Sequence, residues 1–178
     1  MNSFQDFKHN VPTLGSGQAS FTECWYASYG MLFKYHNLST ASIDDKLNGA
    51  GIDVSDAKSG GLVDKKYQLA GNALGMTMWS GEKFKQDPAF YDVGLTDGCE
   101  DFINELIKGP LWVSRYIKNG LYHIVVATGF KWGSSNKGYI IYNNPFPGPK
   151  NAVETEDLMA NVFVKHITSV RGSVQAFR

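Results

Sequence analysis

The sequence predicts an α+β fold in which helices fill the first half of the chain and antiparallel strands the second. Before Gly109-Pro110 the apolar residues recur at helical spacing, and after it short β-branched and aromatic runs alternate with turn residues. The 178 residues are 43% hydrophobic and 19% charged, which fits one domain over residues 1–178 with a sizeable core. We therefore expect a central buried helix packed on a C-terminal antiparallel sheet.

The strongest helical signal covers residues 24–36, which are apolar on nearly every side and therefore predict a buried helix. The residues before it, 1–20, lack helical periodicity and predict an extended arm. Next, a Ser42–Asp45 capping arrangement predicts a short helix from Ser42 to Asn48, which is followed by a glycine-rich loop over 49–61. A helix is expected over 62–74, ended by Gly75, and then a surface loop over 80–95. The last helix of this half carries Cys99 and lies between a Thr96 cap and Gly109.

The second half predicts mainly strands. Three of them are expected at 111–117, 122–130 and 139–142, separated by turn sequences at Asn119-Gly120 and at 133–138. The rest of the chain predicts a short helix at 156–160 capped by Thr155, then strands at 162–167 and 173–177.

Composition excludes several classes of function. The formal net charge is zero, from 17 basic and 17 acidic residues with no long basic run, so no nucleic-acid partner is expected. No apolar stretch is long enough to span a membrane, and the first residues lack the pattern of a signal peptide. We therefore expect synthesis in a cytoplasm without a signal peptide, and two thiols, Cys24 and Cys99, rather than a disulfide.

Cys24 stands at the predicted start of the buried helix, where the helix dipole stabilises a thiolate and can lower the pKa of a thiol. Gln18, six residues upstream, carries an N–H donor of the kind that holds an oxyanion. A lone cysteine in this position is more often a core residue, so the interpretation depends on a base elsewhere in the chain. Cys99 has no comparable setting, and the spacing of cysteines and histidines predicts no metal or cofactor.

His123 is the best candidate for that base, because it opens the strongest predicted strand. His36 lies on the same helix as Cys24, twelve residues on, and therefore about 18 Å away. His9 and His166 are expected to be structural. If the next strand is a hairpin partner, Asn143 or Asn144 at its end can orient the imidazole, and strand alternation allows only one of them to do so.

Five separated segments agree in order and spacing with one family. They are Gln18, Cys24-Trp25-Tyr26-Ala27-Ser28, Gly109-Pro110-Leu111-Trp112-Val113, His123-Ile124-Val125-Val126-Ala127-Thr128-Gly129 and Asn144-Pro145. Over roughly residues 11–148 the chain resembles the compact bacterial papain-like cysteine peptidases, in particular the short effector proteases and the peptidase domains of bacteriocin-exporting transporters. In the compact bacterial groups the residue before the proline is usually aspartate, whereas this chain has Asn144.

The resemblance implies a papain-like fold and hydrolysis through an acyl-enzyme, with Cys24 as nucleophile, His123 as base, Asn144 (or Asn143) as orienting residue and Gln18 in the oxyanion hole. It further implies a protein or peptide substrate with small, Gly-Gly-like residues before the scissile bond. The expected setting is a bacterial toxin delivered into a target cell by a specialised secretion system, with a cognate immunity or inhibitor protein as partner.

Two other functions stay open at this stage. The same residues serve a cell-wall amidase or a glutamine deamidase or transglutaminase, because all of these pass through an acyl-thioester. A function of a different class is an inactive papain-like module that only binds, although the intact Gln18, Cys24 and His123 favour an enzyme.

Overall fold

The computed structural model describes residues 4–14, 18–85, 98–117, 121–134, 137–147 and 153–178. Within these ranges the helices are α1 (Cys24–Tyr35), α2 (Ser42–Gly49), α3 (Val54–Gly60), α4 (Tyr67–Leu74), α5 (Glu100–Lys108) and α6 (Ala160–Lys165). The strands are β1 (Phe7–Lys8), β2 (Thr77–Ser80), β3 (Leu111–Tyr116), β4 (Tyr122–Trp132), β5 (Gly138–Pro147), β6 (Val153–Met159) and β7 (Arg171–Ala176). No helix in these ranges is long and apolar enough to cross a bilayer.

All seven strands join one antiparallel sheet, which confirms the predicted α+β class. The strand order is β2-β7-β3-β4-β5-β6, and β1 pairs with the far end of β4. Strand β4 runs beside β3 at its start and beside β5 from Val126 onward. The start of β4 therefore lies near the end of β5, as the hairpin prediction requires.

Helices cover both faces of the sheet, whereas the sequence predicted one helical layer. Strand alternation sends Trp112 to the face covered by α1, α2 and α4, and sends Leu111 and Val113 to the opposite face. The opposite face is covered by α5 and α6, whose Phe102, Phe163 and neighbours form a second core cluster. Cys24 belongs to the first cluster and Cys99 to the second, and no disulfide joins them.

Helix α1 is buried as predicted, with Trp25, Tyr29 and Leu32 fully enclosed. Burying a side chain of this kind stabilises the fold by roughly 1.5–3 kcal/mol. Two contacts fix the start of the helix on the sheet. The Trp112 indole N–H donates to the Trp25 carbonyl at 3.1 Å, and the Tyr29 ring stacks on the Trp112 ring with centroids 5.2 Å apart.

Several predicted details of the helical half need correction. Ser42 does not cap α2 with Asp45, since its hydroxyl donates to the Ser39 carbonyl instead. The predicted loop over 49–61 contains α3, which is capped by the Asp53 carboxylate accepting from the Asp56 amide at 3.0 Å. Gly75 ends α4 as predicted, with a left-handed φ of 76°.

The predicted loop over 80–95 begins with the last residue of β2 and a 3₁₀ turn at Gly81–Phe84. Its remainder from residue 86, the Thr96 cap and the Asn119-Gly120 turn lie outside the described residues.

The prediction for residues 153–167 is wrong in both elements. Residues 156–159 of the expected helix belong to strand β6, which pairs with β5 along its length, and Ala160 begins helix α6. The expected strand at 162–167 is mostly helix α6, because Ala160, Phe163 and Val164 recur at helical spacing and bury one face against the second cluster. The strand expected at 173–177 is confirmed as β7.

Candidate active site

The N-terminus of α1 faces the start of β4 and the end of β5 across a cleft of about 790 Å³. The cleft is lined by Gln18, Cys24, His123 and Asn144. The structure thus brings four sequence-predicted residues to one place, although they come from a loop, a helix and two strands.

Cys24 is the first residue of α1, and its side chain is buried with 7% of its surface exposed. Burial raises the pKa of the thiol, while the backbone N–H groups of Ile124, Trp25 and Cys24 itself act in the opposite direction. The contact with Ile124, the residue after His123, places the sulfur beside the start of β4. The expectation of a lowered thiol pKa is therefore wrong for the free protein, because desolvation outweighs the helix N-terminus.

His123 is the second residue of β4, and its Nε2 lies 2.7 Å from Asn144 Oδ1. Burial has the largest effect on this imidazole and lowers its pKa, and the nearby Arg115 guanidinium lowers the pKa further. The hydrogen bond to Asn144 and the Glu156 carboxylate both act to raise the pKa. The raised pKa of the Cys24 thiol and the lowered pKa of the His123 imidazole both favour neutral side chains in the free protein. Cys24 and His123 share no hydrogen bond in this structure, and such bonds are often long in free enzymes and shorten when substrate binds.

Asn144, not Asn143, contacts His123. Asn144 Oδ1 also accepts from the Phe146 amide at 3.0 Å, which holds the side chain from a second side. Asn143 is buried and points to the other face of the sheet, where its Nδ2 donates to the Val11 carbonyl at 3.4 Å and its Oδ1 accepts from Thr155 at 3.0 Å. Strand alternation separates the two neighbours.

A backbone hydrogen bond to the end of β5 holds Gln18 at the cleft. Its backbone N–H donates to the Pro145 carbonyl at 2.8 Å, and its side-chain Nε2 donates to the Ser20 carbonyl at 2.7 Å. A side-chain amide has two N–H hydrogens, so one remains for a ligand. The Cys24 backbone N–H, in the first turn of α1, is a second available donor.

Sequence reasoning missed three residues behind this site. Asn144 Nδ2 donates to Glu156 Oε1 at 2.7 Å, and Tyr142 donates to Glu156 Oε2 at 2.6 Å. Arg115, directly across the β3–β4 pair from His123, lies over the Phe163 ring at 4.7 Å. The sequence interpretation placed Glu156 at a solvated helix start, and only the pairing of β5 with β6 brings it to Asn144.

The other histidines have structural contacts away from the cleft. His9 Nε2 lies 2.7 Å from the Leu106 carbonyl, and His166 Nδ1 lies 2.8 Å from the Val162 carbonyl. His36 packs edge-on against the Phe177 ring. No group of three metal-binding side chains occurs among the residues that the structure describes.

These features together define a papain-like cysteine peptidase: an antiparallel sheet, a helix with a thiol at its first residue, and an imidazole held by an amide. A family model described as "Papain-like cysteine protease AvrRpt2" matches residues 4–163, and the chain belongs to that family. It is a cysteine-type hydrolase. A comparison with curated proteins returned no match.

Proposed function

We propose that the protein cleaves peptide bonds of protein substrates through an acyl-enzyme formed on Cys24. The observation that carries the proposal is the placement of Cys24 and His123 in one cleft, with His123 Nε2 held 2.7 Å from Asn144 Oδ1. An imidazole held through Nε2 keeps its other nitrogen, Nδ1, for proton transfer.

The first half of the reaction is acylation. The Cys24 sulfur forms a bond to the scissile carbonyl carbon while its proton passes to His123 Nδ1. The carbonyl oxygen becomes an oxyanion, which accepts from Gln18 Nε2 and the Cys24 backbone N–H. His123 then gives its proton to the leaving amine, the C–N bond breaks, and a thioester to Cys24 remains.

The second half of the reaction is hydrolysis of the thioester. His123 removes a proton from water as the water oxygen bonds to the acyl carbon. The carbon–sulfur bond then breaks, the proton returns to the Cys24 sulfur, and the carboxylic acid product leaves. Because the thiol begins and ends protonated, this route suits a cysteine whose pKa is raised by burial.

We further propose small residues before the scissile bond. The resemblance to transporter peptidase domains supports this preference. A peptide library that varies the residue before the bond tests the preference. Selection of glycine or alanine supports it, and selection of bulky residues at that position contradicts it.

The biological role proposed is that of a bacterial effector or toxin, carried by a specialised secretion system into a target cell and neutralised in its producer by an immunity protein. The resemblance to compact bacterial effector proteases supports this role. Production of the wild type and of Cys24→Ala inside candidate target cells tests it. Growth arrest by the wild type alone is expected, and equal growth with both proteins contradicts the role.

One experiment separates proteolysis from the other reactions of an acyl-thioester. Target-cell lysate is incubated with the wild type or with Cys24→Ala, and N-termini and intact masses are compared. New N-termini made only by the wild type support the protease. A mass increase of about 1 Da without cleavage indicates a deamidase, since amide nitrogen is replaced by oxygen, and released cell-wall fragments indicate an amidase.

A further inference from the structure

Glu156 lies directly behind the amide that holds His123. On β6 it is the register partner of Tyr142, two residues before Asn144 on β5. Its two carboxylate oxygens have separate partners, with Oε1 accepting from Asn144 Nδ2 at 2.7 Å and Oε2 accepting from Tyr142 at 2.6 Å. A continuous chain of hydrogen bonds therefore runs from His123 through Asn144 and Glu156 to Tyr142.

We propose that Glu156 is a positioning residue that fixes the orientation of the Asn144 amide and, through it, the hydrogen-bonding form of His123. This assignment rests on the proposed function of His123 as base. The reason is which atoms of the Glu156 carboxylate, the Asn144 amide and the His123 imidazole can donate a hydrogen bond and which can only accept one. A carboxylate only accepts, so the NH₂ end of Asn144 must face Glu156 and the carbonyl end must face His123.

The orientation of Asn144 selects the tautomer of His123. Because Asn144 Oδ1 can only accept, His123 Nε2 must carry a hydrogen, and in the neutral ring Nδ1 then carries the lone pair. That is the form a general base needs. With the amide turned over, its NH₂ would face Nε2, and the hydrogen would be driven to Nδ1.

Tyr142 holds Glu156 in the orientation that this task needs. Burial and the Glu156 carboxylate raise the pKa of Tyr142 to about 12, so its hydroxyl keeps its proton and donates to Oε2. Oε1 is then left for Asn144. The Phe146 amide supports the same arrangement by donating to Asn144 Oδ1, which only an oxygen can accept.

Glu156 also places a negative charge near His123, whose direct partner Asn144 is neutral. The charged groups that act on His123 are Glu156 from β6, which raises the pKa of the imidazole, and Arg115 from β3, which lowers it. Asn144 from β5 is uncharged, and burial raises the pKa of Cys24 from α1. Loss of Glu156 leaves Arg115 unopposed, so protonated His123 becomes less stable.

The test compares Glu156→Ala, Glu156→Gln and the control Asp157→Ala, an exposed carboxylate that follows Glu156 on the same strand and pairs with Lys131. Nitrogen NMR of ¹⁵N-histidine protein, assigned with His123→Asn, reads the tautomer, and fluorescent casein reads kcat and KM. In the wild type we expect hydrogen on Nε2. Glu156→Ala is expected to mix the two tautomers and to lower kcat about ten- to a hundredfold with little change in KM, the range for a lost hydrogen bond to a charged group.

Glu156→Gln is expected to keep the tautomer and to lose less kcat than Glu156→Ala, the remaining loss coming from the missing negative charge. Its side-chain oxygen accepts from Asn144, and its NH₂ faces Tyr142, whose hydroxyl can rotate to accept. Asp157→Ala is expected to leave both readouts unchanged. The proposal is overturned if Glu156→Ala keeps the wild-type tautomer and kcat, or if Glu156→Gln loses as much as Glu156→Ala.

If Glu156→Ala does not fold, the activities of two other variants test the same contact between residues 144 and 156. Asn144→Asp sets two carboxylates against each other, whereas Asn144→Asp with Glu156→Gln restores a donor between them. We expect the double variant to be about tenfold more active than Asn144→Asp alone, and equal activity contradicts the proposal. If the wild type cleaves neither casein nor any lysate protein, the protease function fails while the NMR comparison still decides the role of Glu156.

Discussion

Replacement of Gln18 by alanine removes the side-chain donor proposed for the oxyanion, while the Cys24 thiol stays in place. Loss of one such donor typically lowers kcat about 10²–10³-fold. The Cys24 backbone N–H remains, so the variant keeps measurable activity, in contrast to Cys24→Ala. The comparison of these two variants tests the assigned roles directly.

The structure also sets the expected effect on stability. Gln18→Ala loses the Nε2 bond to the Ser20 carbonyl, which contributes about 1 kcal/mol. It also removes the buried Gln18 Oε1, which has no hydrogen-bond partner among the described residues and whose burial costs about 1–3 kcal/mol. These changes oppose each other, so we expect the free energy of unfolding to stay the same or to rise by up to about 2 kcal/mol.

The assay measures kcat/KM on casein for Gln18→Ala, Gln18→Glu and Cys24→Ala, with thermal unfolding as the control for folding. Gln18→Glu keeps the size of the side chain but replaces the donor with a carboxylate, so it is expected to lose at least as much activity as Gln18→Ala. The reasoning is refuted if folded Gln18→Ala loses as much as Cys24→Ala, or if it loses nothing.

Three other predictions follow from the pKa directions and the packing. Because burial raises the pKa of Cys24, alkylation of Cys24 by iodoacetamide should rise about tenfold per pH unit from about pH 6 to 8, and a plateau would indicate a preformed thiolate. Gly129→Ala should destabilise the fold by about 1–3 kcal/mol, since a Cβ collides with the Phe7 carbonyl and lies 2.8 Å from Lys8 Cα; an unchanged melting temperature contradicts this. Phe102→Ala should cost about 3–5 kcal/mol in denaturant unfolding, because Phe102 is fully buried in the second core cluster; wild-type stability argues against it.

The elements that place Cys24 and His123 could be predicted because local patterns encode them. Residues 24–36 are apolar on every side, and His123 opens the longest β-branched run. Such segments keep their structure in most tertiary settings, since burial and local preference agree. The hairpin between β4 and β5 then brings Asn144 toward His123 without further information.

The errors fall where tertiary partners override local preference. Residues 156–160 carry acidic residues after Thr155 and resemble a helix start, yet β5 supplies a full set of strand partners for them. Residues 162–167 are rich in β-branched side chains, but Phe163 and Val164 gain more by filling the second core cluster as a helix. The spacing of Ala160, Phe163 and Val164 is the signal that could have indicated α6.

The role of Glu156 and the charge state of Cys24 could not be predicted from the sequence for a different reason. Both depend on distances and burial across strands that are far apart in the chain. Glu156 touches Asn144 only through the β5–β6 pairing, and desolvation of the thiol depends on how tightly α1 packs on β4. Sequence patterns indicate which groups are present, whereas their protonation depends on the completed packing.

The most direct test of the central claim is capture of the acyl-enzyme. Wild-type protein is mixed with a protein substrate found by N-terminal profiling, quenched in acid within milliseconds, digested and mapped by mass spectrometry. A thioester adduct on the peptide that contains Cys24, absent from Cys24→Ala and absent from the peptide that contains Cys99, is the predicted result. Cleavage that persists in Cys24→Ala, or an adduct on any residue other than Cys24, contradicts the account.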